Sequence, residues 1–455
     1  MSDPRVWLRG LSILGNGPLL QGDGESRRAA RDFHGTGPSP TAFRRWQGGA
    51  LALASLLLAS GCSSLPWFGG DIDPHPPTPL TDLKPEVSVK TLWSVSAGDG
   101  TEGRRLELVP AVQGSRLFVA DVNGLVSAFS TADGKQLWQR ETKLPFSGGP
   151  EANANRLLIG SDSGDLVALS AADGSQTWHT RVDSEILSVP RVAGDTVVLH
   201  TLNDDIYGFD VASGKQKWKI TNTPPVLTLR GSSSPTIVGQ DAIVGLSGGK
   251  LVDINVETGV PAWEVTVSEP HGRTDLERID DITADPVVMD GTVYVGTYNG
   301  DLAAVDLKSG TVLWRRALST YAGLAGASGM LYIADSEDNV WAARTSDGAG
   351  VWKQTSLKYR HLSPPAVIGN LVAVGDFEGY IHWLSQADGR ILARTKVAKG
   401  RITAQPVAVG GVLYVYGDDG TVAALAPGAA PPAGPPGPST RVKKQPAIPQ
   451  SAASG

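Results

Sequence analysis

The chain holds one cysteine in 455 residues, Cys62, so it can form no internal disulfide and has no vicinal or CxxC pair for redox chemistry. Basic residues are also thin. Lys and Arg number 40 against 46 Asp and Glu, a net charge of −6 with no dense basic block, so a nucleic-acid partner has no electrostatic footprint. The seven histidines (34, 75, 179, 200, 271, 361 and 382) never fall at metal-ligand spacing, and neither a metal nor a cofactor is expected. Aromatic residues make up 6% and charged residues 19%, too few for a coiled coil or an acidic disordered chain. The chain is instead rich in turn-formers, with 55 Gly and 31 Pro, and its 41% hydrophobic content is ample for one large core.

The lone cysteine sits at an informative place. Arg44 and Arg45 precede a short apolar run over 48–61 that ends in small residues, and Cys62 follows at once. This is the layout of a secretory signal, too short to span a bilayer. The run Leu58-Ala59-Ser60-Gly61-Cys62 resembles a bacterial lipobox, in which the cysteine is lipidated and becomes the mature N-terminus. Ser63 in place of Asp favours the outer membrane by the same resemblance, and a triacylated cysteine is a lasting anchor where a single chain is marginal. The predicted organisation is an over-called start or disordered segment over 1–43, a lipoprotein signal over 44–61 and a Pro-rich tether over 62–85. A propeller over 86–426 and a disordered Ala/Pro/Gly-rich tail over 427–455 complete it.

The propeller follows from an internal repeat. A turn residue, two alternating apolar positions, an Asp-Gly or Ser-Gly turn and a Trp four residues after the Gly recur along the chain. Gly124-Leu-Val-Ser-Ala-Phe, Asp133-Gly134 and Trp138 make one unit, and Gly164-Asp-Leu-Val-Ala-Leu, Asp173-Gly174 and Trp178 the next. Trp218, Trp263, Trp314 and Trp352 close four more. The seventh unit has Ala393 at the Trp position, and the eighth runs from Gly420 straight into Pro427. Each unit contains four short alternating strands, the pattern of a propeller blade. Eight units supply the inner three strands but only seven supply the outermost, and Val87–Trp93 is an orphan strand ending in Trp. The predicted fold is all-β: an eight-bladed β-propeller of four-stranded antiparallel blades, closed by the N-terminal strand. The repeated tryptophans are expected to pack between blades, and the Asp-Gly pairs to be turn chemistry rather than acid sites.

From Trp138 to Trp352 successive tryptophans lie 40, 40, 45, 51 and 38 residues apart. The two excesses place long loops on one face of adjacent blades, where binding usually resides. The first contains Leu227 and Leu229, which alternate beside Arg230 as an apolar pair plus Arg, the make-up of a protein hot spot or of a simple flap. The second runs from Ser268 through Glu277, Arg278, Asp280 and Asp281 to Pro286. Its acids are a solvated charged loop, a partner for basic residues, or a Ca²⁺ site.

The unit Gly-x-Val-x-Ala-Leu-Asp followed by Thr-Gly-x-x-x-Trp resembles the PQQ-like (quinoprotein) propeller repeat. With the lipobox, the Pro-rich tether and the Leu-Thr-Leu-Arg-Gly loop, residues 50–426 are similar to the lipoprotein family of the outer-membrane β-barrel assembly (BAM) machinery. This resemblance implies a periplasm-facing, outer-membrane scaffold that helps assemble and insert β-barrel proteins. It implies docking of Leu227, Leu229 and Arg230 on a POTRA domain of BamA, contacts with other subunits, and possible engagement of unfolded outer-membrane proteins. Asp281 matches the first acid of a pair in the second loop, while Thr283 replaces the second. The rival readings are a quinoprotein dehydrogenase, which lacks its cysteine pair here, and a glycan-binding propeller, for which no residue speaks.

Overall fold

A computed structural model describes residues 74–429, and among them every regular element is a strand. Eight antiparallel sheets of four strands succeed one another around a central channel. The first blade shows the pattern: Ala111–Gln113, Arg116–Ala120, Leu125–Ser130 and Gln136–Glu141 run from the channel outward. The middle strands of each blade are buried on both sides, as in Arg116–Ala120 and Leu371–Gly375, and accordingly read as continuous apolar runs. The outer strands are largely exposed and mixed in character.

Ring closure joins the two ends of the chain. Val89–Ser96 pairs antiparallel with Thr421–Pro427, from Val89 opposite Pro427 to Ser96 opposite Thr421, and so supplies the outermost strand of the eighth blade. The strand starts two residues later and runs three residues further than the sequence reading gave. Pro427 is its partner's last residue rather than the start of the tail. Val87 and Glu86 lie before the strand, where both N–H groups donate to the Leu392 carbonyl on the edge of blade seven.

The core lies between blades. Seven apolar clusters each bridge neighbouring sheets. Seven tryptophans (93, 138, 178, 218, 263, 314 and 352) stand at these seams, each donating its indole N–H to a backbone carbonyl of the next blade at 2.9–3.1 Å. Each indole also lies against the turn glycine of that next blade. At Gly214, with φ +70°, an added Cβ would come within 2.5 Å of Trp178, so the turn needs glycine for both its backbone and its space. The repeat is thus a lock and key, in which Trp of one unit covers Gly of the following one.

Ala393 follows from the same rule. Its neighbour, blade eight, has no turn between its third and fourth strands because the chain termini lie there. With no turn glycine to cover, the seam is filled by Val87 against Leu392 and Ala393, and Trp383 is buried in the same cluster.

Two features were absent from the sequence reading. Glu107–Leu108 forms a short fifth strand, parallel to the innermost strand of blade two. Residues 75–85, expected as part of the Pro-rich tether, lie along blades six and seven. Thr78 N–H donates to the Lys358 carbonyl, Leu80 packs into the apolar cluster there, and Arg394 donates to the Thr81 carbonyl. The lipobox, Cys62, the signal and the C-terminal tail beyond 429 lie outside the described residues.

Candidate functional site

Strand direction alternates across a blade, so the turns between second and third strands and the connections to the next blade emerge on one face. The two long connections, 221–235 and 267–286, lie side by side there, and their contact is direct. Asp281, 3% exposed, accepts hydrogen bonds from Leu229 N–H at 2.6 Å and from Gly248 N–H at 2.9 Å. One buried carboxylate therefore pins the first loop to a turn of blade four. Burial, followed by the charges of Asp204 and Asp280, pushes its carboxyl up to about 6 against the lowering effect of those two bonds.

The second loop is anchored from both sides: Ile282 N–H donates to Leu246 O, and Asp281 O accepts from Tyr298 N–H. Its tip is a tight turn in which Glu277 accepts from the N–H groups of Arg273 and Thr274.

Val226 is 79% exposed and Leu276, on the tip of the second loop, 54% exposed, the two most outward large apolar side chains of these loops. Leu227 and Leu229 are both half-buried. Arg230 turns sideways into an ion pair with Glu185 at 2.7 Å. Thr283 lines the channel, with its side chain beside Gly231. Of the residues singled out from sequence, Leu227, Leu229, Arg230 and Asp281 are therefore neighbours in space, but Asp281 faces inward and spends its oxygens on the chain itself. Val226 and Leu276 were missed. Their signal was an apolar residue inside a polar loop, which alone does not distinguish an exposed position from a buried one.

The central channel holds a cavity of about 270 Å³. Its lining includes Glu107, Glu151, Arg191 and Asp285, with Arg191 bridging Glu151 at 3.1 Å and Asp285 at 3.4 Å. Among the described residues no aromatic side chain lines it. Among the described residues no three His, Cys, Asp or Glu side chains are grouped as metal ligands. The segment leading to Glu107 is tied on both sides of the mouth: Arg104 pairs with Asp162 at 2.6 Å, and Arg105 lies 4.5 Å over the Tyr321 ring.

Burial and the charge of Asp285 push the Glu107 carboxyl up to about 7. A carboxyl whose folded pKa is raised takes up its proton earlier in the fold than in the unfolded chain, so stability rises as pH falls from above 7 toward the ordinary range. Glu107→Gln is expected to stabilise the protein at pH 8 by about 1–2 kcal/mol, because the side chain is only partly withdrawn from water, and to do little at pH 5. Urea unfolding at the two pH values measures this; equal effects at both would remove Glu107 as the source.

The family model described as outer membrane protein assembly factor BamB matches residues 86–143, 122–354 and 345–429. The outer membrane protein assembly factor BamB of Alkalilimnicola ehrlichii is 50% identical over 375 residues, 82% of this chain and 96% of that protein. Its counterpart in Pseudomonas aeruginosa is 47% identical over 380 residues, 84% of this chain and 98% of the relative. The crystal structure of BamB from Moraxella catarrhalis superposes with a TM-score of 0.69 at 26% identity, covering 74% of this chain and all of that one. A quinohemoprotein alcohol dehydrogenase from Comamonas testosteroni gives 0.58 at 14% identity, over 76% and 78% of the two chains, a likeness of fold alone.

Proposed function

Because the chain belongs to the BamB family of outer membrane protein assembly factors, we propose that its two-loop face is where it docks on the periplasmic POTRA domains of BamA. The protein is a scaffold and not an enzyme. Outer-membrane association goes with the family; the periplasmic orientation and the lipid on Cys62 belong to the present proposal, as do contacts with other subunits and with unfolded barrel substrates.

The observation that carries the reading is the clamp by Asp281. A partner surface meeting Val226, Leu227, Leu229 and Leu276 would find them held on a rigid ring, so little ordering entropy opposes binding. Arg230 contributes a guanidinium whose salt bridge to Glu185 is partly open to solvent, able to exchange or share that carboxylate with a partner's. In this reading Asp281 acts through the loop it holds, and the missing acid at Thr283 is no loss because that position faces the channel.

The test is capture of the purified BamA periplasmic region by the full-length protein in detergent. Leu229→Ala and Arg230→Ala are each expected to weaken binding by about 10-fold or more, the range of truncated hot-spot residues, while melting near wild type. Undiminished capture by both folded variants would send the docking site elsewhere on the ring.

A further inference from the structure

Two Asn-Gly pairs stand among the described residues, at the same place in the turns between second and third strands of blades one and five. Their settings differ. In blade one Gly124 takes a left-handed φ of +94° and returns its N–H to the Asp121 carbonyl at 3.3 Å. Gly164 and Gly379 make the same backbone bond in blades two and seven. The Asn123 amide is held as well, donating to Asp99 at 3.1 Å and to Glu102 at 3.0 Å. In blade five the left-handed residue is Asn299 itself, at +59°, and the Gly300 N–H has no acceptor among the described residues. Asn299 is exposed, and its amide makes a single bond, to the Leu276 carbonyl at 3.3 Å. That bond ties the tip of the second loop to blade five.

An asparagine followed by glycine lets the next backbone nitrogen approach the side-chain carbonyl carbon, because glycine sets no side chain in the way. The approach requires a backbone N–H that is not engaged elsewhere and a side-chain amide free to turn toward it. Blade one withholds both. Blade five supplies the free N–H, and only one weak bond restrains the amide.

We propose that Asn299 is a site of spontaneous deamidation that loosens the tip of the second loop. The Gly300 nitrogen attacks Asn299 Cγ, and its proton leaves with the amide nitrogen as ammonia while the new C–N bond closes a succinimide ring. Water then opens the ring. Attack at the side-chain carbonyl breaks the new bond and gives aspartate; attack at the main-chain carbonyl breaks the original peptide bond and gives isoaspartate. No oxidant or reductant takes part. Either product has lost the N–H that Leu276 accepted and sets a carboxylate in its place, so two acceptors face each other. The new charge enters an acidic neighbourhood. Asp280 lies against Gly300, and burial and the charge of Asp280 already push the Asp301 carboxyl up. Isoaspartate also lengthens the backbone just ahead of the strand Asp301–Asp306.

The test is ageing of the full-length protein in detergent at mildly alkaline pH, followed by peptide mapping with mass spectrometry. Asn299 is expected to convert to a mixture of aspartate and isoaspartate at least about 10-fold faster than Asn123, where three hydrogen bonds must break first. An intact Asn299, or equal rates at the two sites, overturns the proposal. Asn299→Asp supplies one product directly. Hydrogen exchange of the Arg278 and Ile279 amides, which close the tip onto the Thr274 and Leu276 carbonyls, is expected to quicken by about 5-fold in that variant, the effect of one lost hydrogen bond. Unchanged exchange overturns the loosening; the aged wild type gives the same readout if the variant does not fold. Both measurements are made without BamA. Weaker capture of BamA after ageing rests on the docking reading above, and full capture alongside conversion and faster exchange would count against that reading and leave the modification standing.

Discussion

Replacing Trp93 with alanine is expected to lower the unfolding free energy by about 3–5 kcal/mol and to open the ring at its chain termini before any other seam. The indole does three things at once. It donates to the Thr131 carbonyl at 2.9 Å, lies tilted against Tyr414 at 6.0 Å between ring centres, and covers Gly134, where an added Cβ would sit 2.7 Å from it. Removing it creates a void at the seam of blades eight and one and leaves the Thr131 carbonyl to water. Trp352→Ala would make a similar void at the seam of blades six and seven, but its strand is joined covalently to its own blade through the Asp347-Gly348 turn. The strand carrying Trp93 has no such turn and is held to blade eight by pairing alone. The two substitutions should therefore cost similar energy in urea yet differ in hydrogen exchange. Only Trp93→Ala should speed exchange across Val89–Ser96 and its partner Thr421–Leu425. If both variants leave those amides equally protected, closure does not depend on the indole.

That seam was legible from the sequence because it is built from local, repeated units. Each turn carries its own Asp, Ser or Thr, as where Asp173 accepts from Ser175 N–H at 3.0 Å, and each strand carries its own alternation. Strand counting then leaves one vacancy and one orphan. The exact register was not legible: Val87 and Val89 are both apolar, and only the three-dimensional seam decides that the first fills the place of a missing Trp while the second begins the strand. The same limit applies to Asp281. An acid in a charged loop is compatible with a partner, an ion or a buried clamp, and its sequence neighbours do not record that Leu229 N–H, 52 residues away, will point at it. The strap at residues 75–86 was the least visible part, since proline-rich composition reports stiffness and says nothing of what the segment lies against.

Arg360→Ala is expected to cost about 3–5 kcal/mol and to release that strap. The guanidinium, 2% exposed, donates from Nε at 3.0 Å and Nη2 at 2.8 Å to Asp376, from Nη2 also to Glu378, and from Nη1 at 2.9 Å to the Thr78 carbonyl. Asp376 is fully buried. Burial alone would push its carboxyl up, yet hydrogen bonds from His382, the Tyr380 N–H and Arg360 hold it below the usual range. Alanine removes the guanidinium that bridges both carboxylates and leaves buried Asp376 short of donors, the situation in which breaking a buried pair is worse than never having had it. Arg360→Lys keeps the charge but is a point donor unable to reach two carboxylates and a carbonyl in a plane, so it should recover only part of the loss. The double variant Arg360→Met, Asp376→Leu should be more stable than Arg360→Ala, since both charges are gone. Acidification adds a signature. A carboxylate held low in the fold contributes stability above about pH 4 that is lost as pH falls through its folded value. Burial also pushes the His382 imidazole down, so protonation below its ordinary pKa of about 6.5 favours the unfolded chain. Both terms weaken the wild type toward acid, and the Asp376 part should vanish in the double variant. Limited proteolysis separates the strap from the ring. Cleavage within 75–86 should appear in Arg360→Ala at denaturant concentrations where the blades still resist, because the ring keeps its own pairing when Thr78 is let go. Protection of the strap unchanged from wild type would mean that Leu80 and the Arg390–Glu86 pair, 2.9 Å apart, hold it without the arginine.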